Sequence, residues 1–80
     1  MRSAQPRKKP WLIGEHRLVY MTLAGDTVLV GYVRERINPK RHSVRFYQYR
    51  MHAAKQWAAT RFATMDEAEA ALLVAVAKHQ

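Results

Sequence analysis

Residues 16–37 read HRLVYMTLAGDTVLVGYVRERI. Two runs rich in Val, Leu, Tyr and Thr flank a Gly-Asp pair, and those residue types favour extended backbone. Gly25 as first central residue suits a two-residue type II′ turn. The segment therefore reads as a hairpin, His16–Ala24 outward and Thr27–Ile37 back. With Gly25 and Asp26 as the turn, Leu23 faces Val28, Met21 faces Val30, Val19 faces Tyr32 and Arg17 faces Arg34. Leu18 with Val33, Tyr20 with Gly31 and Thr22 with Leu29 take the opposite side, because side chains alternate along a strand. Gly31 opposite Tyr20 leaves room for the phenol ring. Both sides are largely apolar, whereas a half-buried strand alternates apolar with polar. One helix covers one face of a small sheet, so the other is left to Trp11–Ile13, a second subunit or a ligand.

Working outward, Asn38-Pro39 marks a turn, and Lys40, Arg41 and His42 make the loop basic. Ser43–His52 reads as the next strand, with Val44, Phe46, Gln48 and Arg50 on one side and Arg45, Tyr47, Tyr49 and Met51 on the other. Ala53–Gln56 reads as a turn into a short fourth strand, Trp57–Arg61, with a helical turn as the alternative. Thr64 followed by Glu67 has the spacing of a capping box, which opens a helix. Asp66, Glu67 and Glu69 sit at its positive end and Lys78 at its negative end. Ala68, Leu72, Ala75, Val76 and His79 form a stripe at intervals of three and four, widened by Leu73 and Ala77. The expected fold is α+β: a three- or four-stranded antiparallel sheet with one C-terminal helix packed on a face, in the order β-β-β-(β)-α. Residues 11–80 form the single domain and residues 1–10 a flexible basic arm. Trp11, Leu12 and Ile13 are expected to pack on it as a short strand or clip ended by Gly14.

Eighty residues hold one small core, and the chain has no cysteine, so disulfides and thiolate zinc sites are excluded. His16, His42, His52 and His79 are scattered, so no metal and no cofactor are expected. No apolar run has the length of a membrane span and no signal sequence opens the chain, which makes the cytoplasm the default. Ser3 and Ser43 are the only serines, and Glu15, Asp26 and Glu35 fall on different parts of the hairpin. His16 and Glu35 fall opposite each other in this register, which reads as an ordinary ion pair. With no phosphate-binding glycine loop either, the chain is not expected to be an enzyme.

Charge is the remaining signal. The net charge is +8, and residues 1–61 account for +10 while residues 62–80 carry −2. Attraction to a polyanion therefore acts through the β portion and the arm, and phosphate repulsion opposes the helix. In the arm stand Arg7, Lys8 and Lys9. Arg17, Arg34 and Arg36 project from one side of the hairpin together with Tyr32, and Lys40 and Arg41 extend the charge. Arg45, Tyr47, Tyr49 and Arg50 follow on the third strand, then Trp57 and Arg61. Arginine pairs with phosphate or reads a guanine edge, and tyrosine bonds phosphate or stacks on a base. The expected partner is nucleic acid, with DNA first. The rival is a homodimer or protein-binding module in which a partner buries Val19, Met21, Val28 and Val30.

The stretch WAATRFATMDEA, residues 57–68, resembles the strand-to-helix joint of small three-stranded-sheet-plus-helix DNA-binding domains, the plant AP2-type and phage integrase N-terminal type. The likeness lies in Trp57, then Phe62-Ala63-Thr64, then Glu67-Ala68. It implies a sheet that contacts DNA, with Arg61 and Trp57 in the contact set. It covers under a quarter of the chain, and nothing upstream of Trp57 aligns with it.

Overall fold

The structure, a computed structural model, describes residues 10–79. It is an α+β fold in which β1 (Leu12–Leu23), β2 (Asp26–Ile37) and β3 (Arg45–Met51) form an antiparallel sheet in the order β1-β2-β3, followed by α1 (Met65–Lys78). The expected arm, with Arg7, Lys8 and Lys9, lies outside the described residues.

The hairpin closes one residue earlier than expected. Leu23 pairs with Asp26, so Ala24 and Gly25 form the turn. Both have positive φ, 52° and 85°, the pair of left-handed residues that a type I′ turn requires. The pairing then shifts twice, between Ile13 and His16 and between Val19 and Tyr20. At the second shift Tyr20 faces Leu29 while Val19 faces Gly31, leaving Val30 as the extra residue of a bulge in β2. The expected partners of Val19, Tyr20 and Arg17 are thereby replaced: Arg17 faces Val33, and His16 faces Arg34 rather than Glu35. Trp11–Ile13 is no separate clip, since β1 begins at Leu12 and runs on past Gly14.

Alternation along β2 and β3 sorts the side chains. Val19, Val30 and Val33 from the hairpin meet Met65, Ala68 and Leu72 of α1 in the core, with Tyr47, Tyr49, Met51 and Phe62 packed around them. Leu72 and Val33 are fully buried, each contributing about 1.5–3 kcal/mol through lost apolar hydration. Gly31 lies under the helix rather than under Tyr20: a Cβ there would come within 2.7 Å of Leu72 Cδ1 and 2.5 Å of the Arg50 carbonyl. The rival interface is revised by the same packing, because Val19 and Val30 are already buried within the chain.

The helix begins as expected. Thr64 Oγ1 accepts from the Glu67 amide at 3.1 Å and donates to Glu67 Oε1 at 3.1 Å. Met65 joins Ala68 and Leu72 on the buried stripe, while His79 is exposed. The fourth strand does not form. Residues 57–62 run beside β3 with only the Ala58 amide to Tyr49 O and a Tyr47–Phe62 bridge, each bond 2.9 Å.

Candidate functional site

The face of the sheet away from α1 carries His16, Leu18 and Tyr20 from β1, Tyr32, Arg34 and Arg36 from β2, and Phe46, Gln48 and Arg50 from β3. Cross-strand rows follow from the register: His16–Arg34–Gln48, Leu18–Tyr32–Arg50 and Ile13–Arg36–Phe46. Trp57, on the segment that follows β3, folds back over this face. The guanidinium carbon of Arg34 sits 4.0 Å from its ring centroid, that of Arg50 5.5 Å, and the His16 ring 6.0 Å. Arg50 also stacks on Tyr32 at 4.6 Å. A second stack lies at the other end, where Trp11 meets Phe46 edge-on at 4.9 Å and Arg61 covers Phe46 at 4.2 Å.

Hydrogen bonds fix these heads in part. Gln48 Oε1 accepts from Arg34 Nε and Nη2 at 3.3 and 3.2 Å. Arg36 Nη2 donates to Trp11 O at 2.8 Å, and Arg50 Nη1 to Ala54 O at 2.5 Å. Tyr32 shares a 2.7 Å hydrogen bond with His52 Nδ1. Each guanidinium has five N–H donors, so most remain uncommitted to protein acceptors. Arg36 Nε is buried with no partner among the described residues. Burial, then the like charges of Arg36 and Arg50, push the Arg34 pKa down. Three cations therefore share a small area with no carboxylate among them.

The other arginines behave differently. Arg17, expected beside Arg34, points to the helix, where Nη1 meets Glu69 Oε1 at 2.7 Å and Asp66 Oδ1 at 3.1 Å. Hydrogen bonding to Glu69 and then to Asp66 raises its pKa. Arg45 Nη1 meets Glu35 Oε2 at 2.8 Å, and the same oxygen accepts from the Tyr47 hydroxyl at 2.9 Å. Glu35 is buried. Its other oxygen accepts from the Glu15 amide at 3.0 Å, and that bond first, then Tyr47 and Arg45, hold its pKa below the usual carboxylate value against the opposing effect of burial. The Tyr47 pKa is raised, by burial first and then by Glu35. Tyr49 packs against the core beside Phe62.

The structure thus brings Tyr32, Arg34, Arg36, Arg50, Trp57 and Arg61 together and removes Arg17, Arg45, Tyr47 and Tyr49 to the opposite face. Lys40 and Arg41 lie in the exposed β2–β3 turn, their amides bonded to Asn38 Oδ1 at 2.8 and 3.0 Å. Trp11, Phe46, Gln48 and His16 are additions that residue-by-residue reading passed over. Phe46 and Gln48 were recoverable from their shared strand parity with Arg50, whereas nothing local marks the reach of Trp11 to Phe46.

The chain matches no family model, no curated protein and no solved structure. Among the described residues no cluster of His, Cys, Asp or Glu has a metal-holding arrangement, and no helix is long and apolar enough to cross a membrane.

Proposed function

We propose that this chain binds nucleic acid without catalysis, DNA first, through the sheet face opposite α1. One observation carries the reading: Arg34, Arg36, Arg50 and Arg61 gather on a single face, braced by rings or backbone carbonyls, with no salt bridge to any described carboxylate. A solvated surface arginine loses rotamer freedom when it grips a phosphate. A stacked one has lost part of it already, which lowers the entropic cost of binding. The planar fork then meets two phosphate oxygens, or a guanine edge, with parallel hydrogen bonds. Phosphate contacts set affinity, and sequence preference falls to Gln48, Tyr32 and whichever guanidinium edges reach bases. Lys40 and Arg41 extend the positive surface at the sheet end.

The test is titration with duplex and single-stranded DNA at two salt concentrations. Affinity is expected to fall steeply as salt rises. Arg34→Ala with Arg50→Ala is expected to flatten the slope of log K against log salt by about 2 while the far-ultraviolet circular dichroism is unchanged. Arg17→Gln, on the opposite face, is expected to leave binding within about twofold. Absence of binding at low salt, or equal losses from the two faces, defeats the reading.

A further inference from the structure

We infer that β1 is a self-pairing edge, and that two copies of this chain join antiparallel through it into one six-stranded sheet. The sheet has two edges, and they are treated differently. The β3 edge is occupied by residues 57–62 through hydrogen bonds to Tyr47 and Tyr49. The far edge of β1 pairs with no strand among the described residues, so alternate amides and carbonyls along it face outward. Proteins guard such edges with lysine, proline or a short strand. Here the edge strand has 12 residues without Lys or Pro. Its charged residues, Glu15 and Arg17, and its irregularity between Ile13 and His16 lie in the first half, which leaves Leu18–Leu23 uncharged and regular. Its apolar side chains are instead left in water: Leu12 is 46% exposed, Ile13 59%, Leu18 53% and Tyr20 53%.

Register follows from where β1 is regular. The irregularity between Ile13 and His16 prevents pairing across it, whereas the shift at Val19–Tyr20 comes from the extra residue in β2 and leaves β1 continuous from His16 to Leu23. A two-fold axis normal to the sheet keeps both helices on one side and requires partners of equal parity. Centring it on Val19 sets Leu18 against Tyr20 of the second copy, twice, and His16 against Thr22. The two most exposed apolar side chains of the regular stretch are then buried on each other, as aliphatic–aromatic cross-strand pairs.

Charge permits this despite a net +8 on each chain. On the outer face β1 contributes His16, Leu18, Tyr20 and Thr22, none of them Lys or Arg, and Arg17 on the other face is held by Asp66 and Glu69. The arginine rows start at β2. The two β2 strands would stand three strand spacings apart, about 14 Å, beyond the Debye length of about 8 Å at physiological salt. A contact about 24 Å long and about 10 Å thick is small beside the ~800 Å² per partner of a standard interface. The dimer is therefore reversible, forming at micromolar or higher concentration.

Sedimentation equilibrium of the full chain, without nucleic acid, decides the matter. A reversible dimer is expected whose affinity holds or rises with salt, opposite to the response expected of DNA binding, so each proposal fails separately. Leu18→Lys with Tyr20→Lys, both at exposed positions, is expected to weaken the dimer at least tenfold. Val74→Lys, at an exposed position on α1, leaves it unchanged. A monomer at all concentrations up to several hundred micromolar overturns the inference, as does a dimer that survives the β1 variant or is broken by the α1 variant.

Discussion

On the helix-facing side of the sheet, arginine is neutralised: Arg17 meets Asp66 and Glu69, and Arg45 meets Glu35. On the opposite side Arg34, Arg50 and Arg61 meet rings and Arg36 meets a backbone carbonyl. A carboxylate cancels the charge it orders, whereas a ring or a carbonyl orders a guanidinium and leaves its charge in place. The same residue type therefore closes one surface and keeps the other electrically open. Of the six side-chain carboxylates, Asp66, Glu67 and Glu69 are on α1 and Glu35 is on the helix-facing side of the sheet.

Leu72→Ala strikes the closed side hardest. Leu72 is fully buried against Val33 and Gly31, and its truncation is expected to cost about 2–5 kcal/mol in urea denaturation. Any DNA affinity that remains in the folded fraction should match the parent. A parallel loss of affinity would show that the two faces are not separable.

How far this division was legible can be read from Arg17. The hairpin, the third strand and the Thr64-capped helix follow from residue type and spacing. The faces of β1 relative to β2 do not, because apolar residues line both sides and nothing in the pattern penalises a slipped register. The turn at Ala24 uses an alanine in a left-handed conformation, so the Gly25-Asp26 pair is the stronger turn signal but the wrong one. Val30 is unmarked as a bulge among four other β-formers. Arg17 is thus assigned beside Arg34, when tertiary pairing with α1 takes it to the opposite face. On β3, which has no bulge, parity alone separates Arg50 from Arg45, Tyr47 and Tyr49. Trp57 enters the site by a fold-back that strand parity does not encode.

Glu35 sharpens the comparison through pH. Its folded pKa lies below the ordinary carboxylate value, so its contribution is present above the unfolded value of about 4.3 and is lost as pH falls toward the folded one. Glu35→Gln is expected to cost about 1.5–3 kcal/mol at neutral pH, since it removes charge-assisted bonds to a buried group. It should also flatten the decline in stability below about pH 4.3. A variant with an unaltered acid limb in thermal melts would show that the ionised Glu35, held by the Glu15 amide, Tyr47 and Arg45, is not what stabilises this end of the sheet.

Trp57→Leu has the smallest expected effect on stability, about 0.5–2 kcal/mol, from the loss of two cation–ring contacts at a half-exposed position. Its larger consequence falls on order: Arg34 and Arg50 should sample more rotamers, visible as broadened or averaged guanidinium resonances in NMR. Unchanged resonances would mean that Gln48, Ala54 and the Tyr32 ring hold the two heads without Trp57.

The placement of carboxylates on α1 and on the sheet face toward it also gives the described residues an uneven distribution of charge. An isotropic cation feels only a pull in an external field, but a lopsided one feels a torque as well. If the proposed binding holds, the molecule is expected to turn its acidic helix away from an extended negative surface before contact. Fewer of its collisions then arrive back to front, and the orientational search that usually slows docking is shortened.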